Sequence, residues 1–275
     1  MAADYSQYEV SPEMRDRHAA YFEATSIQYE AALRDLQLVL IIDRSGSMRI
    51  EDEDGSGRGQ RSGSMFPGKW TRWDNTLQLV WYLAESMFYY DKDGRIPLIF
   101  FGDDVVQTEV HNCHELYNYF YTYRPTTETT NLYAALRAAF FNCVTDENTL
   151  FLVVTDGCPN VGQESQIKDL IFECITRKDV GGNRLNVLFL RIGDDSGAIR
   201  FLQDLDDCVK IGENVDTKSD NEAYSYGPKA LMLNAIYEHL EPKSSPNELA
   251  NYGESQRGGG FFDFLSSLFS CNAPR

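Results

Sequence analysis

Two stretches of the chain are apolar at nearly every position and too short to be ordinary helices. Leu36–Ile42 reads LQLVLII and Leu150–Thr155 reads LFLVVT. Short, partly β-branched runs of this kind predict strands buried on both faces, as in a parallel sheet. Ile96–Phe101 and Leu185–Ile192 predict two more strands. Val105–Val110 alternates after the Gly102-Asp-Asp104 turn and predicts an antiparallel edge strand paired back on its neighbour. Between these runs the apolar period lengthens to that of a helix. Trp73–Tyr90 places Leu77, Val80, Trp81, Ala84 and Met87 on one side. Shorter helices are expected over His111–Arg124, Leu132–Val144, Ile167–Thr176, 198–205 and Lys229–Leu240, and Cys208–Ile211 reads as a last short strand. Strands alternating with helices predict an α/β fold. The sheet is Rossmann-like, open and mostly parallel, with one antiparallel edge strand and helices on both faces.

The same pattern divides the chain. Residues 1–35 read as a helical N-terminal extension and 36–241 as the α/β domain. Residues 242–260, rich in Pro, Ser, Asn and Gly, read as a linker. Residues 261–275 form an apolar C-terminal segment. Within it Phe261, Phe264, Leu265 and Leu268 recur at helical spacing, so 261–270 is a candidate docking segment, for a partner or for the chain's own sheet. Residues 51–68 are polar and glycine-rich without any period, and predict an inserted surface loop. That loop repeats RSGSM, first seen at 44–48, but without a preceding apolar strand.

Charge narrows the partners. With 25 Lys+Arg against 42 Asp+Glu the net charge is −17, which repels phosphate backbones and argues against nucleic acid. No apolar run reaches the roughly 20 residues needed to span a bilayer, and a membrane is an unexpected partner. The start, MAADYSQYEV, lacks the basic and apolar regions of a signal peptide, and the six cysteines form no CxxC pair. A reducing, cytoplasmic setting without disulfides is expected.

Candidate chemistry collects where strands end. In open α/β sheets, ligands bind beyond the carboxyl ends of the strands, where strand order reverses. Asp43, Ser45 and Ser47 follow the first buried strand, Thr130 opens a helix, and Asp156 follows LFLVVT. Singly, each has a plainer explanation as a turn or a helix cap. Together they offer two carboxylates and three hydroxyls, with no thiolate or imidazole. An all-oxygen set suits a hard cation: Mg²⁺ first, with Mn²⁺ or Ca²⁺ as alternatives.

The runs LVLIIDRSGSM, TTNLYAAL and LFLVVTDG resemble the metal-ion-dependent adhesion site of von Willebrand factor type A (VWA) domains. Lys69-Trp-Thr-Arg-Trp73 and Phe201–Asp207 are similar to small single-domain intracellular members. The resemblance covers about residues 36–241. It implies that Ser45, Ser47 and Thr130 touch the metal and that Asp43 and Asp156 act mostly through water. It also implies that a protein partner's Asp or Glu completes the shell. The inserted loop 51–68 departs from the pattern beside the site.

Neither a phosphate loop nor a GxSxG elbow is present. Cys113-His114-Glu115 are adjacent on a helix and point apart. Asp103-Asp104 and Asp194-Asp195 read as solvated turns, the second within a Gly193–Gly197 turn that could cap the helix near 198–205. The leading expectation is therefore a non-enzymatic, metal-dependent protein-binding module. Its alternatives are a metal-dependent phosphohydrolase on the same carboxylates and a structural subunit of a larger assembly.

Overall fold

A computed structural model describes residues 6–25, 30–51, 70–90, 93–126, 128–143, 148–177 and 184–237. Six strands form one sheet: β1 (Leu36–Asp43), β2 (Ile96–Phe101), β3 (Val105–Val110), β4 (Asn148–Thr155), β5 (Leu185–Arg191) and β6 (Val215–Ser219). Their spatial order is β3-β2-β1-β4-β5-β6. Every neighbouring pair is parallel except β2–β3, which runs antiparallel from Ile96 opposite Val110 to Phe101 opposite Val105. β1 lies at the centre, with Leu40 flanked by Leu98 on one side and Leu152 on the other.

That position explains why β1 and β4 lack a polar face. Leu38, Leu40, Ile42, Leu150, Leu152 and Val154 enter one core. Helices α1 (Pro12–Thr25), α2 (Glu30–Arg34), α3 (Arg72–Tyr90), α4 (Cys113–Thr122), α8 (Asp220–Tyr226) and α9 (Pro228–Ile236) contribute to the same core. Val39, Ile41, Phe151 and Val153 point the other way into a second core, closed by α5 (Leu132–Asn142), α6 (Glu164–Thr176) and α7 (Ser196–Asp206). Side chains alternate along a strand, so a strand covered on both sides must be apolar throughout. The N-terminal residues belong to this packing, since Tyr8 and Leu33 are fully buried in the first core.

Two expectations need correction. Cys208–Ile211 is a turn, closed by Ile211 N–H donating to the Cys208 carbonyl at 2.9 Å. The last strand is instead β6, whose sequence VDTKS is mostly polar. An edge strand needs only one covered face and one neighbour, and here the polar side chains pair locally. Lys218 Nζ lies 3.0 Å from Asp216, and the Thr217 hydroxyl donates to Asp206 at 3.0 Å. The short helix α8 is also unanticipated. The Asp103-Asp104 turn is not merely solvated, since Asp104 pairs with Arg44 and Asp103 accepts from Thr129, whereas the turn before α7 does cap that helix, Asp195 accepting from Ala198 N–H at 2.8 Å.

The inserted loop, the RSGSM repeat within it, the linker and the apolar segment 261–270 lie outside the described residues. The loop's roots are described: Glu51 bridges to Thr71, and Arg72 N–H donates to the Ile50 carbonyl at 3.0 Å.

Candidate metal centre

The chain leaves β1 toward α3 on one face of the sheet and leaves β4 toward α6 on the other. Connections that diverge between adjacent parallel strands open a crevice at the strands' carboxyl ends, the topological switch point. Asp43 is the last residue of β1, and Asp156 is the first residue after β4. Both carboxylates are thereby delivered to the crevice by the register of two central strands.

Both are buried, Asp43 at 0% and Asp156 at 1% exposure. Asp43 is held at each oxygen: Oδ1 accepts the Ser45 N–H at 2.8 Å, and Oδ2 accepts the Thr155 hydroxyl at 2.6 Å. Burial, followed by the nearby negative charge of Asp156, pushes its carboxyl up to about 7, against the downward pull of the Thr155 and Ser45 hydrogen bonds. A turn of 3-10 helix, Gly46–Arg49, follows, with Ser45 at its N-cap position. It brings Ser47 back beside Ser45, their Oγ atoms 3.0 Å apart. The Ser47 hydroxyl then donates to Asp156 Oδ1 at 2.8 Å. Ser45, Ser47 and Asp156 thus form a continuous chain of oxygens, with Asp43 beneath it.

Thr130 occupies the adjoining loop, half-buried. Its N–H donates to Asn160 Oδ1 at 3.0 Å and its carbonyl accepts the Asn160 N–H at 3.1 Å. The next residue, Asn131, donates its N–H to the carbonyl of Gly102, just after β2. The loop therefore links the segments that follow β2 and β4, the two strands flanking β1. That brings Thr130 to the same end of the sheet as Asp43. Among the described residues, no hydrogen bond joins its hydroxyl to Ser45, Ser47 or Asp156.

Sequence reasoning missed several residues here. Thr155, which the sequence marks only as the end of a strand, fixes Asp43 through its hydroxyl. Asn160 ties the Thr130 loop down. The most consequential is Arg72, whose Nη1 lies 2.7 Å from Asp156 Oδ2. It is the first residue of α3, directly after an N-cap in which Thr71 and Asp74 exchange hydrogen bonds. The Thr-x-x-Asp spacing was visible in the sequence and marks that helix start. The pairing with Asp156, 84 positions away, has no local signal.

The donors fit a hard cation in kind. Among the described residues no three His, Cys, Asp or Glu side chains gather into a metal cluster. The cluster here is instead two carboxylates with serine hydroxyls, all oxygen, joined to one another through Ser45 and Ser47. Two buried carboxylates, with the charge of Asp156 near enough to raise the proton affinity of Asp43, call for positive charge. Beside them a cleft of about 400 Å³ is lined by Gly46, Arg49, Ile50, Thr126 and Glu128.

No protein-family model matches the chain, and no curated protein does. Solved structures do match. An aerotolerance-related membrane protein from Bacteroides fragilis, carrying multiple mutations to serine, is 14% identical with a TM-score of 0.49, over 72% of this chain and 99% of that one. The conserved hypothetical protein BatB from Bacteroides thetaiotaomicron is 14% identical with a TM-score of 0.48, over 74% and 98%. The SpRpn10 VWA domain is 13% identical with a TM-score of 0.43, over 66% and 86%. Likenesses this shallow assign no role to any residue, and the chemistry of the site stands on its own geometry.

Proposed function

We propose that the chain is a VWA-type module that binds a protein partner through a divalent cation, Mg²⁺ in the first instance. Asp43, Ser45, Ser47, Thr130 and Asp156 would hold the ion, and an Asp or Glu of the partner would complete its coordination. The observation that carries this reading is the Ser45–Ser47–Asp156 oxygen chain over buried Asp43, at the switch point of the sheet. When bound, the ion would supply a positive charge that neutral hydroxyls leave largely unquenched, and so attract a carboxylate from outside.

The surroundings support a protein-sized ligand. Ile50 is half exposed and Val161 fully exposed, on the loops that flank the oxygen chain. Exposed apolar side chains around a polar centre suit a contact patch. Among the described residues no helix is long and apolar enough to cross a membrane.

Affinity purification of the full chain with and without Mg²⁺, read by mass spectrometry, tests the proposal. Partners are expected to be lost with EDTA and with Asp43→Ala, while circular dichroism shows the fold intact. Undiminished binding under both treatments contradicts it. Phosphatase turnover with Mg²⁺ or Mn²⁺ that disappears in Asp156→Ala would instead favour the enzyme reading.

A further inference from the structure

Arg72 is a cation built into a site that otherwise gathers oxygens. Its guanidinium donates to one oxygen of Asp156 at 2.7 Å, while the other oxygen accepts the Ser47 hydroxyl at 2.8 Å. Asp156 is therefore shared between the serine chain and a fixed positive charge. The Arg72 side chain is only 15% exposed and that of Asp156 0%. This is a sheltered ion pair rather than a surface contact.

The position of the guanidinium is enforced from two sides. At its base, the Thr71–Asp74 hydrogen bonds fix the first turn of α3. At its tip it packs against Gly193, in the turn after β5. A Cβ on Gly193 would lie 2.9 Å from Arg72 Nη2 and 3.0 Å from Cζ and Nε. Gly193 also has φ +78°, a conformation that favours glycine and leaves the guanidinium room to lie against the turn. The helix end itself does not invite this charge: cations are disfavoured at a helix N-terminus, where the backbone N–H groups already carry positive charge. Asp156 compensates for it.

We propose that Arg72 is a tethered competitor of the divalent ion at Asp156. It neutralises the buried carboxylate when no ion is bound and lowers the affinity of the site for the ion. The inference rests on the metal-binding reading above and adds what sets its strength. A divalent ion placed among Ser45, Ser47 and Asp156 meets the guanidinium charge across a poorly solvated gap. Either the ion pair breaks or the two cations repel. The site is thereby tuned toward weak, reversible metal binding, tightened when a partner's carboxylate arrives to offset the excess positive charge.

The test is calorimetric titration of Mn²⁺ and of Mg²⁺ into the full chain, the Arg72→Gln variant and the Arg72→Lys variant. Arg72→Gln is expected to bind metal about ten-fold more tightly or better, as removal of a full neighbouring charge at low dielectric implies. Arg72→Lys, which keeps the charge, is expected to stay near the parent protein. Melting curves guard against a variant that folds poorly without metal. Arg72→Gln should melt lower than the parent protein in EDTA and show a larger rise on adding Mn²⁺. Equal or weaker metal affinity in Arg72→Gln, or a rise no larger than the parent's, overturns the role of Arg72 while leaving metal binding standing. Absence of metal binding in all three proteins overturns both.

Discussion

At the scale of single residues, the site depends on keeping a buried carboxylate fully partnered. Asp43 has no solvent to fall back on, so each lost hydrogen bond exposes the cost of its burial. Thr155→Val removes the hydroxyl that donates to Asp43 Oδ2 at 2.6 Å while keeping a β-branched shape suited to β4. At a pH above the raised value of Asp43, where its carboxyl is ionised, the expected loss is about 1.5–3 kcal/mol of unfolding free energy, the range for hydrogen bonds to charged groups. Urea denaturation would measure it, and a change below about 0.5 kcal/mol would show that Asp43 does not depend on this bond. The residues that carry the oxygens were legible because Asp43, Ser45 and Ser47 sit within one turn after an unmistakable strand, and Asp156 follows another. Thr155 and Arg72 were not. A threonine at a strand end serves β-propensity equally well, and an arginine opening a helix gives no hint of a partner 84 residues on.

At the scale of elements, a buried histidine joins α1 to α3 and α8, beside the packing of Phe22 in the core. His18 Nδ1 lies 3.0 Å from the Tyr82 hydroxyl on α3, and Nε2 lies 2.6 Å from the Tyr224 carbonyl on α8. Gly227, between α8 and α9, closes over the same ring: a Cβ there would lie 2.5 Å from His18 Cγ. Burial first, and the charge of Arg17 to a smaller extent, lower the His18 pKa below its ordinary 6.5, although the Tyr224 carbonyl pulls the other way. The folded state thus resists a proton that the unfolded chain accepts. The contribution of His18 to stability should be level above pH 6.5 and should decline as pH falls from 6.5 toward the lower folded value, while Asp43, its carboxyl raised to about 7, contributes in the opposite sense and loses stability as pH rises through that value. The parent protein should therefore lose stability relative to His18→Gln as pH falls below 6.5, and a difference between the two that does not change with pH would contradict this role of His18.

Legibility at this scale followed burial. β1 and β4 were evident because both faces are covered, and β3 because its alternation betrayed an edge. β6 was not, because VDTKS buries little and satisfies its polar groups with Asp206 and with one another. The start of α8 does carry a signature in hindsight. Ser219 and Glu222 form a capping box, with Glu222 accepting the Ser219 N–H at 2.8 Å, and the sequence SDNE displays that spacing.

At the scale of the whole molecule, the fold gathers the parts of one candidate centre from distant places in the chain. The strand order puts Asp43 and Asp156 side by side, the loop before α5 carries Thr130 to the same end of the sheet, and the start of α3 adds a fixed positive charge. A chain of net charge −17 also attracts divalent ions to its surface without any site. Metal uptake by itself is therefore a poor criterion, and dependence on the switch-point oxygens is the discriminating one. The most direct measurement is electron paramagnetic resonance of Mn²⁺ titrated into the intact protein and into its Ser47→Ala and Asp156→Asn variants, at moderate ionic strength. The account predicts one saturable ion per chain, displaced by Mg²⁺ and lost in both variants. Uptake that is the same in all three proteins, or no saturable uptake by the intact chain, would contradict it.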